Sequence, residues 1–523
     1  MDSNSNSRPR RSRNPLKSFI RRISHSPVGA APATRQANPD INIWEDKLLL
    51  SLDGDPIRGL SSLFILQALM EKIAQMEQQN PQPAYHSFSP APYKDPRPRS
   101  AQPSDNASTG SGSRSHQNDS SSSMSEADLK APEYRYLPCH YFDFIAGTST
   151  GGLIAMMLGR LRMTVGHCIE EYIELGGDIF GKPRMFNARS VLFWNRGKYE
   201  GSNVEKVVEK VGRRYNPWVQ NELWSPVLFK SPERLCKTMV FATEESEMEP
   251  YIFRSYDHKR KAEVPMLNQS HLAAPGYFNP LEINDVTFLD GGLVANNPSV
   301  YAFNEISLLQ GNKAPALVLS IGTGEKEKRS FKTLEKSMKH WKPFISHQPN
   351  NRIAESQSAD IQMTEVRDQR EHRPEDRFKY QRLTVGLDFG LGWMKLDEWK
   401  RDPSSERPAN DPNDVPKRYI RKREYFLEKS SKHHDTVRFL ETRTNFYLES
   451  VRENLDQLAR VLVNKRRLRS KTPQWEHFAT GDTWQCRDCS GSLFYTRDEL
   501  RTHLAHMHGN RAVNIDRDCR LPY

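Results

Sequence analysis

The chain has 523 residues, of which 36% are hydrophobic, and a formal net charge of +11. Such a chain can form one large domain with appendages but is too polar to fold throughout. No apolar run approaches the roughly 20 residues of a membrane-spanning helix, and the 6 cysteines argue against a disulfide framework. The positive charge favours anionic partners such as phospholipid surfaces or nucleic acid.

The first segment, residues 1–44, is predicted to be a basic disordered tail. The stretch from Arg8 to Ser26 carries several arginines and no acidic residue. Its composition also suits a transit peptide or a nuclear address, but it has no apolar region typical of a secretory signal. We therefore expect an intracellular protein, cytoplasmic or membrane-associated, with the nucleus as the alternative compartment.

The main domain is predicted over residues 45–330, and it begins with a buried strand at Leu48–Leu52, a turn, and a helix from Gly59 to Ile73. Residues 78–135 then become rich in Ser, Pro, Gln and Asn. That composition predicts a disordered insertion within the domain.

A second strand-turn-helix unit follows the insertion, in the run "YFDFIAGTSTGGLIAMMLGRL". Further short apolar strands, "CKTMVFATEE" and "APALVLSIGTG", predict a largely parallel sheet covered by helices. Residues 331–378 read as a polar insertion. A late strand and a helical region are predicted over residues 379–475, with helix-like apolar spacing between Tyr425 and Leu468.

The turn of the second unit contains a candidate nucleophile. Gly147-Thr148-Ser149-Thr150-Gly151 fits the Gly-x-Ser-x-Gly nucleophile elbow, which places a serine on a sharp turn between a strand and a helix. The helix N-terminus behind the serine favours developing negative charge. Such runs are also common in plain turns and phosphate-binding loops, so the pentapeptide alone leaves the role of Ser149 open.

A serine nucleophile needs a base, and neither His140 nor His167 lies in an obvious motif. Asp290 is the better candidate, because it ends the apolar stretch of "FLDGGLVANNPS" and is followed by Gly291 and Gly292. A carboxylate at a strand end, with glycines after it, can approach another backbone closely. The alternative is an ordinary Asp-Gly turn.

Four blocks in this order resemble the patatin-like phospholipase family. They are "SLDGDPIRGLSSLFILQALM", "FDFIAGTSTGGLIAMMLGRLRMTV", "AAPGYFNP" and "FLDGGLVANNPS". The resemblance covers about Leu48 to Gly324 without the Ser-rich insertion. It implies a three-layer α/β/α fold and a Ser-Asp dyad hydrolase that needs no metal or histidine for catalysis.

Carried onto this sequence, the resemblance makes Ser149 the nucleophile and Asp290 its general base. The implied reaction is acyl transfer from a glycerolipid ester, with an acyl-enzyme that water hydrolyses, as in lipid catabolism. Gly147, Gly151, Gly291 and Gly292 would support the elbow and the dyad. The implied partners are a phospholipid or other glycerolipid and a membrane surface that the protein contacts peripherally.

The first block departs from the family pattern Asp-Gly-Gly-Gly-x-Arg-Gly, whose backbone N–H groups form the oxyanion hole. Here it reads "DGDPIRG", so Gly54 and Arg58 are kept while Asp55 and Pro56 replace two glycines. Proline has no N–H, and Asp55 would bring negative charge towards the oxyanion. A rearranged loop, a degenerate enzyme retained for binding, and a sequence error remain the explanations. The family also has an Ala-Thr-Ser-Ala-Ala-Pro-like stretch before the aspartate, and the segment "NQSHLAAPGYF" keeps only its latter half.

The C-terminal segment 480–512 resembles a two-Cys, two-His zinc finger with a ββα fold. Its candidate ligands are Cys486, Cys489, His503 and His508, with His506 as an alternative fourth ligand. Phe494 and Leu500 occupy the positions of its small core. Four protein ligands leave no open position for water, so zinc would be structural.

Two main hypotheses for the whole chain follow. The first is a serine lipid acyl hydrolase with a zinc finger that contacts a protein partner. The second is a noncatalytic binding or regulatory protein built on the same fold, which the altered loop favours. DNA binding is the least favoured reading, because DNA-reading fingers usually act in tandem.

Overall fold

The computed structural model describes part of the chain, and the account of the fold concerns only that part. The described residues are 43–79, 136–180, 211–215 except 213, 229–257, 281–325 except 284, 356–371, 377–394, 398–401, 418–429, 434–489, 492–509, 515 and 519–521. Residues 1–42 of the predicted tail 1–44, most of the predicted insertion 78–135, and the segment "NQSHLAAPGYF" lie outside these residues.

The centre of the molecule is an eight-stranded, mostly parallel sheet. Five strands run parallel in the spatial order β3, β2, β1, β7, β8, and an antiparallel group of three lies beside β3. The strands are β1 (Leu48–Leu52), β2 (Phe144–Thr148), β3 (Lys237–Glu244), β4 (Glu249–Arg254), β5 (Leu281–Ile283), β6 (Val286–Asp290), β7 (Leu317–Ile321) and β8 (Lys379–Leu383).

Helices cover both faces of the sheet. Side chains alternate between the two faces along each strand, so the apolar strands present an apolar surface on each side. Leu48, Leu50 and Leu52 point into one apolar layer, while Leu49 points into the other. The first layer is covered by α1 (Gly59–Gln79), α2 (Thr150–Ala155), α3 (Val165–Phe180), α7 (Thr436–Ser450) and α8 (Arg452–Arg469), and the second by α4 (Ser299–Leu309) and α5 (Ser356–Arg370). The predicted α/β/α class is confirmed.

Strand β3 is the element that determines the geometry at the end of β2. One edge of β3 pairs with β4 over residues 239–244. The other edge pairs with β2 as far as Phe241, opposite Thr148, and then with β6 from Ala242 onward, opposite Asp290. Parallel β2 and antiparallel β6 therefore end beside each other on the same edge.

Two elements differ from the sequence predictions. The polar segment 331–378 contains helix α5, which buries Ala359 and Met363 in the second apolar layer. Their spacing of four residues is helical, but the surrounding charges hide it in the sequence. The predicted helical region between Tyr425 and Leu468 contains three helices, the short α6 (Lys422–Lys429) followed by α7 and α8.

Beyond α8 the chain forms α9 (Gln474–Thr480) and then a small three-stranded sheet with a helix. Its elements are β9 (Thr483–Gln485), β10 (Leu493–Phe494), α10 (Arg497–His508) and β11 (Arg520–Leu521). Strand β11 pairs with β9 and adds a third strand to the expected ββα unit. Trp484, Leu500 and Leu504 form its core.

Within the described residues, no helix is both long and apolar enough to cross a bilayer.

Candidate active site and metal cluster

Ser149 lies on a strained turn between β2 and α2. Its backbone has φ 54° and ψ −125°, a left-handed φ that non-glycine residues rarely adopt. The turn is tight: a Cβ on Gly147 would lie 2.0 Å from the carbonyl oxygen of Gly151, and a Cβ on Gly151 would lie 2.5 Å from that of Asp53. A side chain at either position would collide with backbone atoms, so both positions require glycine.

Asp290 lies next to this turn because β2 and β6 share an edge of β3. Gly291, the residue after it, approaches Thr148, since a Cβ on Gly291 would meet the Thr148 Cγ2 atom at 3.0 Å. The Thr148 hydroxyl donates a hydrogen bond of 2.6 Å to the carbonyl of Ala295. Two independent contacts thus hold the Asp290–Ala295 turn against the residue that precedes Ser149.

The carboxylate of Asp290 is oriented by its own turn. Its Oδ1 atom accepts a hydrogen bond of 2.5 Å from the Gly292 N–H. Asp290 and Ser149 are each 6% exposed, so both polar side chains are largely shielded from water. Shielding strengthens any electrostatic interaction between a carboxylate and a neighbouring polar group.

Asn296 is a site residue that sequence reasoning missed. A Cβ on Gly54 would lie 3.0 Å from both the Asn296 Oδ1 and the Ser149 Cβ, and a Cβ on Gly292 would lie 3.2 Å from the same Oδ1. The amide of Asn296 therefore lies between the Asp290 turn and the loop after β1. The residue stands inside the quoted motif "FLDGGLVANNPS", but nothing local indicates where its side chain lies.

The loop after β1, residues 53–56, presents few hydrogen-bond donors. The N–H of Asp53 donates to the carbonyl of Ile321 at 3.1 Å, and that of Gly54 donates to the carbonyl of Asn296 at 3.1 Å. The N–H of Asp55 donates to the Thr150 hydroxyl at 3.1 Å. Pro56 has no N–H. Every backbone donor from 53 to 55 thus has a partner within the protein.

The charge of Asp55 is paired with that of Arg58. Its carboxylate accepts hydrogen bonds from the Arg58 backbone N–H and from Arg58 Nε, each at 3.0 Å, and forms an ion pair with Arg58 Nη2. Both side chains are buried. The sequence led us to expect this charge near the oxyanion, whereas the structure has it neutralised by Arg58.

A second ion pair holds the start of the same loop. Arg382, on β8, donates to both carboxylate oxygens of Asp53, at 3.2 and 2.6 Å. Burial alone would lower the pKa of Arg382, but the neighbouring Asp53 carboxylate outweighs it and raises that pKa. Bidentate pairing of this kind fixes the geometry as well as the charge.

The first turn of α2 contains backbone N–H groups that, unlike those of the loop after β1, can donate hydrogen bonds to a ligand. The opening N–H groups of a helix have no partner within the helix, and the first intrahelical bond here runs from the Leu153 N–H to the Ser149 carbonyl. The side chain of Ser149 does not cap this helix. Among the described residues, the N–H groups of Thr150 and Gly151 have no hydrogen-bond partner, and they follow Ser149 at a helix N-terminus, where the helix dipole favours anions.

His140 is buried and faces a different part of the molecule. Its Nε2 lies 2.9 Å from the carbonyl of Ala479, in α9. Burial, with the charge of Arg162, lowers the pKa of His140 to about 3. A neutral side chain that packs against α9 fits a structural role.

At the C-terminus, Cys486, Cys489, His503 and His508 form a cluster. One ligand atom from each lies within 4.8 Å of the others. The two sulfur atoms lie 3.4 and 3.2 Å from His508 Nε2. His503 Nε2 is buried and has no hydrogen-bond partner among the described residues. The thiol and imidazole donors and their separations fit a tetrahedral zinc ion. His506 is exposed and outside the cluster.

Comparisons with known proteins place a family domain over this site. Residues 129–303 match the family model described as "Patatin-like phospholipase". The match includes Ser149 and Asp290 and begins after the loop at residues 53–56.

Several curated proteins are similar to the chain. "Calcium-independent phospholipase A2-gamma" from Oryctolagus cuniculus is 28% identical over 210 residues, which cover 38% of this chain and 26% of that protein. "Phospholipase A I" from Arabidopsis thaliana is 24% identical, covering 36% and 18%. "Patatin-like protein 1" from Oryza sativa subsp. indica is 27% identical, covering 38% and 52%. The chain thus spans about a quarter of the length of the first relative.

Proposed function

We propose that this chain, which carries a patatin-like phospholipase domain, hydrolyses fatty acyl esters of glycerolipids through a dyad of Ser149 and Asp290. The observation that carries the proposal is the strained turn at Ser149, which lies beside the end of β6, where Asp290 stands. The named activities of the phospholipase relatives support glycerolipids as the substrate class.

The proposed reaction begins when the Ser149 hydroxyl attacks the ester carbonyl and passes its proton to the Asp290 carboxylate. The carbonyl oxygen becomes an oxyanion, and we assign its stabilisation to the N–H groups of Thr150 and Gly151 at the start of α2. Collapse of the intermediate breaks the ester bond, and Asp290 returns the proton to the departing alcohol. Water, activated by the same carboxylate, then releases the fatty acid and restores Ser149.

The experiment is fatty acid release from mixed phospholipid vesicles by the purified protein. Ser149→Ala and Asp290→Asn should each lower turnover by about 1000-fold or more, because the nucleophile and its base act as a unit. Ser246→Ala changes an exposed serine at the turn between β3 and β4 and should leave turnover unchanged. Circular dichroism and thermal melting of each variant separate loss of chemistry from loss of fold. Full activity in folded Ser149→Ala would refute the dyad.

A second candidate function is a noncatalytic binding or regulatory protein on the same fold. One observation favours it: the N–H groups of Asp53, Gly54 and Asp55 are all bonded internally and Pro56 has none. Wild-type protein that releases no fatty acid but binds phospholipid vesicles would support this alternative.

Other expectations remain proposals. We propose a role in lipid catabolism, peripheral contact with a membrane surface, and an intracellular location in the cytoplasm, at a membrane, or in the nucleus. The Cys486–His508 cluster is proposed to hold a structural zinc ion, and its module to contact a protein partner. When bound, zinc would supply a cross-link between the ends of the module rather than a reactive group.

A further inference from the structure

A cavity of ≈ 470 Å³ lies at the opposite end of the sheet from Ser149. Phe144 and Lys237, the first residues of β2 and β3, contribute to it, whereas Ser149 follows the last residue of β2. A five-residue strand separates two such points by about 17 Å. Helix α9 and the C-terminal module close the other side, so we refer to it as the junction cavity.

The base of the junction cavity carries more positive than negative charge. The ammonium group of Lys237 lies over the rings of Phe144 and Tyr256, at 5.4 and 5.0 Å from their centroids. Among the described residues no carboxylate lies within ion-pair distance of it. The ammonium of Lys47 lies 3.9 Å from the nearest oxygen of Asp143.

Asp143 is already engaged by other donors. Its Oδ2 atom accepts hydrogen bonds of 2.8 Å from Arg469 and from the Leu48 N–H. One carboxylate therefore faces three cationic side chains: Lys47, Lys237 and Arg469. The arrangement leaves an excess of two positive charges, which are partly shielded from water.

The mouth of the cavity differs from its base, because its cationic side chains are paired with carboxylates. Lys230 and Asp257 form an exposed ion pair of 2.8 Å, and Arg234 pairs with Glu499 of α10 at 3.0 Å. Glu233 accepts a hydrogen bond of 3.0 Å from the hydroxyl of Tyr495. The Tyr495 hydroxyl is neutral, so Glu233 keeps one negative charge at the mouth, whereas the excess positive charge of the cavity lies at the base.

Burial lowers the pKa of both lysines at the base. For Lys237, the charge of Lys47 lowers the pKa further, against the opposing influence of Asp143, Glu305 and Glu233. For Lys47, burial is again the largest influence, and Asp143 opposes it. An anion between the two ammonium groups would relieve this cost.

We propose that the junction cavity binds an organic phosphate monoester, with its phosphate between Lys47 and Lys237. A dianion matches two ammonium groups, whereas a carboxylate would neutralise only one. The walls suit an apolar or planar body, since they include the aromatic side chains of Trp44, Phe144, Tyr256, Phe478 and Tyr495. The phosphate could belong to a lipid headgroup or to a water-soluble compound. This site does not depend on the proposed dyad.

The test is calorimetric titration of full-length Ser149→Ala protein, in which hydrolysis cannot interfere. The probes are inorganic pyrophosphate, glycerol 3-phosphate and dioctanoyl phosphatidic acid, with dioctanoyl phosphatidylcholine as a probe that has no monoester. We expect glycerol 3-phosphate or dioctanoyl phosphatidic acid to bind, and Lys237→Met to weaken that binding at least tenfold; binding of pyrophosphate alone would contradict an organic monoester as the ligand. Binding of phosphatidic acid alone identifies a lipid source, and binding of glycerol 3-phosphate identifies a soluble one.

Lys72→Met is the matched control, because Lys72 pairs with Asp456 on the α1–α8 surface, away from the cavity. It should bind the probes as the parent does. Lys237→Arg, which keeps the charge, and Lys47→Met provide further variants if Lys237→Met does not fold. Absence of binding by every probe at millimolar concentration, or equal weakening by Lys72→Met and Lys237→Met, overturns the proposal.

Discussion

At the scale of single residues, Asp55 and Pro56 determine which charges and backbone donors the loop after β1 presents near Ser149. The sequence predicts that Pro56 removes an N–H and that Asp55 brings negative charge towards the oxyanion, and the structure changes the second of these interpretations. Asp55 neutralises buried Arg58, while Pro56 removes a backbone donor and accepts a hydrogen bond of 2.8 Å from Tyr172 through its carbonyl. Their replacements therefore have different expected effects.

Pro56→Gly should raise fatty acid release. It restores a backbone N–H without disturbing the Asp55–Arg58 pair, and one oxyanion donor is typically worth about 100-fold in rate. We expect a gain of about 10- to 100-fold in kcat, with a small loss of stability because glycine gives the unfolded chain more freedom. The measurement is initial rates on phospholipid vesicles. An unchanged rate would mean that the start of α2 alone supplies the donors.

Asp55→Gly should instead destabilise the protein. Among the described residues, the buried Arg58 guanidinium then keeps a single contact, at 3.4 Å to the Leu391 carbonyl. Removing one partner of a buried pair costs about 3–5 kcal/mol. Urea denaturation measures the difference. Asp55→Asn, which keeps an acceptor for the Arg58 N–H, should lose less, and equal stability of all three proteins would contradict a structural role for the pair.

At the scale of elements, strand β3 brings β2 and β6 together, and only part of this follows from sequence. Leu48–Leu52 and the helix after it are predictable because their apolar patterns are local. The meeting of Thr148 and Asp290 on one edge of β3 is not, since it depends on an antiparallel pairing between segments about 50 residues apart. The local sequence made Asp290 a candidate and the resemblance gave it the role of base, whereas Asn296 and Arg382 are identified only in the folded chain.

Glycine substitutions test the tightness of the turn between β2 and α2. Gly147→Ala places a methyl group 2.0 Å from the Gly151 carbonyl oxygen, so we expect a loss of about 3 kcal/mol or more in unfolding free energy. Gly177→Ala, within α3, meets nothing within 4 Å. It should stabilise the protein by about 0.5–1 kcal/mol through helix propensity. Urea denaturation compares the two, and a neutral Gly147→Ala would contradict the described turn.

At the scale of the whole molecule, the C-terminal module is attached to the main domain by charged contacts. Arg234 pairs with Glu499 at 3.0 Å, and Arg497 pairs with Glu476 of α9 at 2.8 Å. His477, also in α9, contacts the carbonyl of Glu233 at 2.7 Å. A metal that orders α10 would therefore also order one wall of the junction cavity, because Tyr495 and Thr496 line it.

Zinc content distinguishes the two candidate fourth ligands. His508 lies within the cluster and His506 is exposed outside it, although they are only two residues apart. We expect about one zinc per chain in the parent and in His506→Ala, and loss of zinc with a lower Tm in His508→Ala, because structural zinc couples binding to folding. Metal analysis by mass spectrometry gives the ratio. Zinc retained in His508→Ala but lost in His506→Ala would contradict the described cluster, because α10 would have to rotate about its axis and break the Arg234–Glu499 pair.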